Sequence, residues 1–203
     1  MYTPFTDDEP GQAATFNLRF AEMEAAITAR RGAMIASTTP TTLAADAANI
    51  TIDIVAGYDM LTLHASLRTN RAAANDDIRV TFNDDISSSY ITRYILCDTV
   101  GAPSAGGATS TSGLTLGYGA NGATATANTF SSLILRIPLA SASLLKGVTW
   151  ESVQSDSSIT NPRLIVGGGW YPTASVITRI KLAPVTGTLI VTGSSYAVYG
   201  TGG

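Results

Sequence analysis

The chain has 203 residues, of which 45% are hydrophobic and only 13% are charged, about half the charged share of an ordinary soluble protein. A net charge of −3 gives no electrostatic footprint for nucleic acid, and no apolar run reaches the roughly 18 residues of a membrane span. The acidic start lacks the basic and apolar pattern of a secretory signal. A single cysteine and a single histidine exclude a disulfide framework and sites built on Cys or His pairs, so we expect no cofactor and no enzymatic role.

The first 42 residues differ in pattern from the rest. Residues 1–14 are predicted to be an extended arm, because Pro4, Pro10 and Gly11 would break a helix. Residues 15–31 are predicted to be a helix, with four apolar side chains on one stripe: Phe16, Phe20, Met23 and Ile27. The stripe has two interpretations, packing on the chain's own domain or a seam between copies of the chain. About two heptads are too short for a free coiled coil, so a seam needs contacts from the following domain. We therefore predict an anchoring and oligomerisation segment at 1–42 and one domain at 43–203.

From residue 50 onward the apolar period changes to two. Ile50, Ile52 and Ile54 alternate with polar residues, and similar short runs recur with turn residues between them. The predicted strands are 50–54, 61–67, 78–82, 90–97, 114–118, 130–137, 148–153, 163–167, 176–182, 188–192 and 195–199. The predicted turns and loops are 75–77, 83–85, 101–113, 119–128 and 167–169. This spacing indicates an all-β antiparallel sandwich or barrel. Its predicted core consists of Ile52, Leu61, Leu63, Ile78, Val80, Phe82, Leu133, Leu135, Ile180 and Leu182.

Few residues in this domain suggest chemistry. The clusters Asn75–Asp77 and Asn83–Asp85 carry side-chain oxygens of the kind that bind calcium. The two clusters flank one strand and are too far apart to share an ion. We therefore interpret both clusters as turns and predict no metal site. His64 lies on the polar side of its strand, and the sequence shows no motif for a nucleophile that would act with it, so it is predicted to be a surface residue. Cys97 is predicted to be a small buried hydrophobic residue. The run Gly167–Gly169 does not open a helix and is not a phosphate loop.

Aromatic residues provide the remaining candidate site. Trp170, Tyr171 and Tyr118 could stack on the apolar faces of sugar rings and form a ligand-binding platform. The alternative, which we favour, is that these side chains pack in the protein interior, as Trp150 is expected to do.

Four parts of the chain, one of them in two pieces, resemble parts of tailed-bacteriophage virion proteins. LRTNRAAANDDIRVTFNDDISSSYI (67–91) resembles a stretch with an R-x-x-R segment, an N-D turn and a strand ending in F-N-x-D before a tyrosine. ANTFSSLILRIP (127–138) resembles the next element, and GGGWYPTASVITRIKLAP (167–184) with SYAVYG (195–200) resembles the last two strands. GQAATFNLRFAEMEAAI (11–27) resembles the junction before the first globular module of phage appendage proteins.

The resemblance implies a jelly-roll-like β-sandwich, often a homotrimer, and a role in the virion. On that basis we expect a fibre or decoration protein on the surface of the phage particle, attached to the head or the tail. Its partners would be further copies of itself and, through residues 1–35, other virion proteins. The alternative is a tail module that recognises a host-surface glycan, and a glycan hydrolase ranks below both because no carboxylate pair is recognisable.

Overall fold

The protein is described by a computed structural model that covers residues 40–86, 89–98, 103–110, 112–155 and 162–202. The predicted arm, the predicted helix 15–31 and its stripe of Phe16, Phe20, Met23 and Ile27 lie outside the described residues. Within them, the chain forms two antiparallel sheets that pack as a sandwich, so the predicted fold class is confirmed. The described part of the chain contains no helix long and apolar enough to cross a membrane.

Twelve strands build the two sheets. They are β1 (Thr41–Thr42), β2 (Ile50–Asp53), β3 (Tyr58–Ser66), β4 (Asn75–Phe82), β5 (Tyr90–Cys97), β6 (Ser104–Ser110), β7 (Leu114–Asn121), β8 (Ser132–Pro138), β9 (Lys146–Ser155), β10 (Pro162–Tyr171), β11 (Arg179–Pro184) and β12 (Ser195–Gly202). The eight-stranded sheet has the order β1-β12-β3-β8-β9-β10-β5-β6, and the four-stranded sheet has the order β2-β11-β4-β7. Because the chain passes repeatedly from one sheet to the other, contacts between distant parts of the sequence hold the sandwich together.

The core lies between the sheets and matches the predicted alternation closely. Nine of the ten predicted core residues are fully buried, and Ile52, on the edge strand β2, is partly buried against them. Trp150 is also buried, as expected. The period of two fixes which side chains face inward, because successive residues of a strand point to opposite faces of the sheet.

Two glycine-rich segments predicted as loops or turns are strands, and those predictions were wrong. Gly106 and Gly107 lie in β6, where a Cβ would stand 2.3 Å from Cζ of Tyr94 and 2.7 Å from Cδ of Arg93, respectively. Gly167 lies in β10, where a Cβ would stand 2.3 Å from Cζ2 of Trp150. The glycines therefore make room for side chains of neighbouring strands rather than turning the chain.

Two further segments differ from the prediction. Asn75–Asp77 begins strand β4, with a register irregularity between Asp76 and Ile78, and is not a turn. The predicted strand 188–192 is reduced to isolated bridges from Ile190 to Ala47 and Thr69. In contrast, Asn83 and Asp84 adopt φ values of 53° and 55°, the left-handed backbone that Asn and Asp tolerate, so this turn is confirmed.

Polar side chains replace regular pairing in the long connections. The guanidinium of Arg68 donates to the carbonyl oxygens of four residues in the loop after β7: Ala123, Ala125, Thr126 and Thr129. Oδ1 of Asn70 accepts from the amides of Thr188 and Leu189. Oδ1 of Asn83 accepts from the amides of Thr178 and Arg179. Each side chain bonds to several backbone groups of a connection, which orders these segments.

Two aspartates at opposite ends of β4 should affect stability with opposite signs. Burial raises the pKa of Asp77, although the amide of Tyr118 donates to its carboxylate and lowers it in part. The pKa of Asp77 in the folded state thus exceeds 3.8. The protonated carboxyl contributes its full stabilisation of the folded state below pH 3.8. That stabilisation is lost as the pH rises through the folded-state pKa. Asp77→Asn keeps an acceptor for Tyr118 and should be more stable than the wild type at pH 7, with a smaller advantage at pH 3.

Asp84→Asn is the matched comparison. A hydrogen bond from Arg179 lowers the pKa of Asp84, so its contribution is present above 3.8 and is lost as pH falls through the folded pKa. This variant should be less stable than the wild type at pH 7 and equal to it at low pH. Urea midpoints at pH 3, 5 and 7 test both statements, and equal signs for the two variants would contradict this assignment.

Candidate functional site

The outer face of the four-stranded sheet is polar. Arg179 bridges Asp53 and Asp84 at 2.7 and 2.8 Å, and Lys181 lies between Thr51 and Thr81 in the register. Such a face is the expected surface of an antiparallel sheet that meets water on its outer side.

The outer face of the eight-stranded sheet is different, because a set of large apolar side chains points outward from three adjacent strands. They are Ile91 and Ile95 of β5, Leu164, Val166 and Trp170 of β10, and Val153 of β9, each 40–56% exposed. We call this set the apolar face. Together the six side chains expose roughly 600 Å² of mostly apolar surface, at the upper end of what the largest patch on a monomer shows.

The register places these residues side by side. Ile91 pairs with Trp170, Ile95 with Val166, and Leu164 with both Cys97 and Val153. Glycine interrupts the face between Val166 and Trp170: at Gly168 an added Cβ would meet only the carbonyl oxygen of Val148, at 3.4 Å. In the register Gly168 lies between Arg93 and Thr149, so one row with a shallow dip separates Ile91 and Trp170 from the other four apolar residues.

Two charged side chains lie within this surface. Arg93 is the register partner of Gly168; its side chain covers Gly107 of the edge strand and its Nη1 donates to the carbonyl of Thr92. Glu151 is the register partner of Val166 and pairs with Arg136 of β8 at 2.7 Å. Each charge has a protein partner, so the face combines apolar area with two engaged charges.

The three aromatic residues predicted as a ligand platform do not come together. Trp170 is 56% exposed, so the packing interpretation was wrong for this side chain, whose ring lies over Gly147. Tyr171 is its neighbour on the strand and points inward, where it is buried and stacks on Tyr90 with ring centroids 5.4 Å apart. Tyr118 of the other sheet contacts Tyr94 edge-to-face, and Arg163 lies over its ring at 5.5 Å. Of the three, Trp170 is largely exposed, Tyr118 is partly buried and Tyr171 is buried.

The inward side of this sheet end holds a buried polar cluster. The hydroxyl of Tyr171 lies 3.3 Å from Oδ2 of Asp85, which also accepts from Thr173 at 2.6 Å. The ammonium of Lys146 is buried and donates to the carbonyl oxygens of Ala142, Leu144 and Ser175. Burial lowers the pKa of Lys146. These contacts tie the 139–146 and 172–178 connections to the sheet, and they explain why Tyr171 is structural.

His64 and Cys97 both lie on the outer side of the eight-stranded sheet. His64 is exposed, as predicted, and packs edge-to-face on Tyr199 at 5.3 Å beside a shallow depression of about 520 Å³ that Ser66, Ser132 and Pro40 also line. Cys97 is exposed next to Leu164 rather than buried, so the prediction for this residue was wrong. Cys97 ends β5 and points to the outer face of the sheet, where no other described element covers it, so its thiol is accessible to solvent.

The two aspartate clusters stand at opposite ends of β4, and their carboxylates have protein partners. Asp76 is buried and accepts from the hydroxyl of Thr69 and the amides of Thr186 and Gly187. Among the described residues, no group of three or more His, Cys, Asp or Glu side chains could hold a metal ion.

Metal removal is therefore expected to leave stability unchanged. Thermal melts of the full chain in EDTA and in millimolar calcium should coincide, because ions that bind only the folded state raise its stability by mass action. A shift of several degrees with calcium would show that one of the clusters is an ion site.

Comparison with known proteins gives no relative for this chain: no family model, no curated protein and no solved structure matches it. The function must therefore be argued from the residues and the geometry above.

Proposed function

We propose that the chain is a structural protein of a tailed-bacteriophage particle, a homotrimeric fibre or decoration protein displayed on the surface of the head or tail. The sandwich supplies the displayed module, and residues 1–35 supply the attachment to other virion proteins. The observation that carries the proposal is the resemblance of four parts of the chain to virion proteins, set on a two-sheet antiparallel sandwich of the kind that resemblance implies.

The motif residues support the proposal through the fold. Arg68 holds the loop after β7, and Nη1 of Arg71 donates to the carbonyl of Asn75 at 3.1 Å. Phe82 is buried in the core, Asn83 forms the following turn, and Tyr90 donates to the carbonyl of Asp85. The motif residues therefore have structural roles within one module, as expected if the motif specifies a fold. The apolar face adds a second argument, since a protein present as several contacting copies can cover such a surface.

The test is the location of the chain in particles. Antibodies against the purified sandwich, coupled to gold, should label the surface of intact particles from a culture whose phage encodes this chain, and the chain should co-purify with those particles through a density gradient. Absence of the chain from purified particles would overturn the proposal.

A glycan-binding tail module is the second candidate, and the exposure of Trp170 favours it, because an accessible indole can stack on a sugar ring. Binding of the full chain to an array of bacterial surface glycans, lost in Trp170→Ala and kept in Tyr118→Phe, would support this alternative. Retention of binding by Trp170→Ala would exclude Trp170 as its platform.

A further inference from the structure

We infer that the apolar face is the surface through which copies of this chain pack against each other, with Val166 and the dip at Gly168 at its centre. The inference rests on the homo-oligomer of the proposed function, but not on the particle in which the chain resides. It names the partner, a neighbouring copy, and the part of the sandwich that meets it.

The first argument is the difference between the two outer faces. The two outer faces of the same sandwich differ in polarity: the four-stranded sheet has a charged face, and the eight-stranded sheet has an apolar face on β5, β10 and β9. Six large apolar side chains on adjacent strands are not scattered surface residues, and an exposed patch of this size on a sheet marks an interface.

The second argument is area. A standard interface buries about 800 Å² on each partner, of which somewhat more than half is apolar. The roughly 600 Å² of the apolar face is large enough to supply that apolar share. The predicted stripe of Phe16, Phe20, Met23 and Ile27 offers about half as much area, so one such stripe folded back on its own domain would leave much of the face in water. A neighbouring copy is therefore the occupant of matching size.

The third argument is shape. The dip at Gly168 has open space above it, and it lies between the outward side chains of Val166 and Trp170 on the same strand. A surface with projecting side chains beside a dip can accept the projecting side chains of a copy. Arg93 beside the dip and Glu151 beside Val166 each have a protein partner, so the charges that an interface would bury at the centre are already engaged.

The test compares two matched substitutions in the full chain. Val166→Lys places a charge in the centre of the apolar face, where Glu151 is its cross-strand neighbour and can pair with it, so the fold should be retained. Val55→Lys makes the same change at a similarly exposed valine outside the face, in the connection between β2 and β3. Masses are measured by sedimentation equilibrium from 0.1 to 100 μM, and circular dichroism checks the fold.

We expect the wild type and Val55→Lys to be oligomers and Val166→Lys to dissociate at least tenfold more readily. The exposed thiol of Cys97, beside Leu164, gives a second readout: a thiol reagent should label it faster in Val166→Lys than in the wild type. An oligomeric wild type with an equally stable Val166→Lys oligomer would overturn this inference and leave the homo-oligomer standing. A monomeric wild type would overturn the homo-oligomer itself.

Discussion

Phe82→Ala is expected to lower the free energy of unfolding by about 3–5 kcal/mol, because it deletes a fully buried ring from the centre of the core. Phe82 ends β4, pairs in register with Ile180 of β11, and packs its ring 5.2 Å from that of Tyr171 in the opposite sheet. The ring therefore links the two sheets, and the surrounding side chains cannot fill the cavity without moving a strand.

Urea unfolding of the wild type and Phe82→Ala at one protein concentration measures this loss. Val55→Ala is the control, since it truncates a side chain that is 59% exposed and should change stability by no more than about 0.5 kcal/mol. A loss below about 1 kcal/mol in Phe82→Ala would contradict the described packing of the two sheets.

Gly167→Ala is expected to cost about 3 kcal/mol or more, although it adds only one methyl group. That methyl would stand 2.3 Å from Cζ2 and 2.4 Å from Cη2 of Trp150, and Trp150 is itself only 1% exposed. The indole would have to move within a packed core, or β10 would have to separate from its neighbours.

Gly168→Ala is the matched control one residue along the same strand. Because Gly168 also lies in the proposed interface, both variants are compared at a protein concentration low enough to separate the copies. The methyl group of Gly168→Ala would point to the outer face, in ordinary contact with the carbonyl oxygen of Val148, so the stability of the single chain should be unchanged or raised by about 0.5 kcal/mol through the less flexible unfolded chain. Melting curves of the two variants should thus differ by many degrees. Equal melting temperatures would show that Trp150 does not occupy the space above Gly167.

The sequence predicts strands well where apolar and polar residues alternate. Leu61, Leu63, Val80 and Leu133 were assigned to the core because a period of two places alternate residues on one face, and tertiary packing did not override that pattern. The range 90–97 matches β5 to the residue.

The sequence predicts poorly where composition alone suggests a loop. Composition assigns Gly106, Gly107 and Gly167 to loops and turns, because glycine is frequent in such segments. In the fold each faces a large side chain of a neighbouring strand, Tyr94, Arg93 or Trp150, and that pairing depends on register across the sheet. A single sequence contains no local signal of which strands become neighbours.

The candidate site was predictable only in part. Trp170 was singled out as an aromatic of interest, but its adjacent Tyr171 was grouped with it even though strand geometry sends consecutive side chains to opposite faces. The sequence contains a partial signal of the apolar face, since Ile95, Leu164 and Val166 lie in apolar runs that put such residues on both faces of a strand, whereas Val153 lies between Ser152 and Gln154. Recognition that β5, β10 and β9 lie side by side required the structure.

A cryo-electron microscopy reconstruction of the intact particle tests the central claim most directly. The account predicts density for this sandwich on the outside of the particle, in groups of three related by a local axis. The apolar face of each copy should be turned toward a neighbouring copy, and residues 1–35 toward the body of the particle. Isolated single copies with Trp170 and Val166 facing solvent, or particles without this density, would contradict the account.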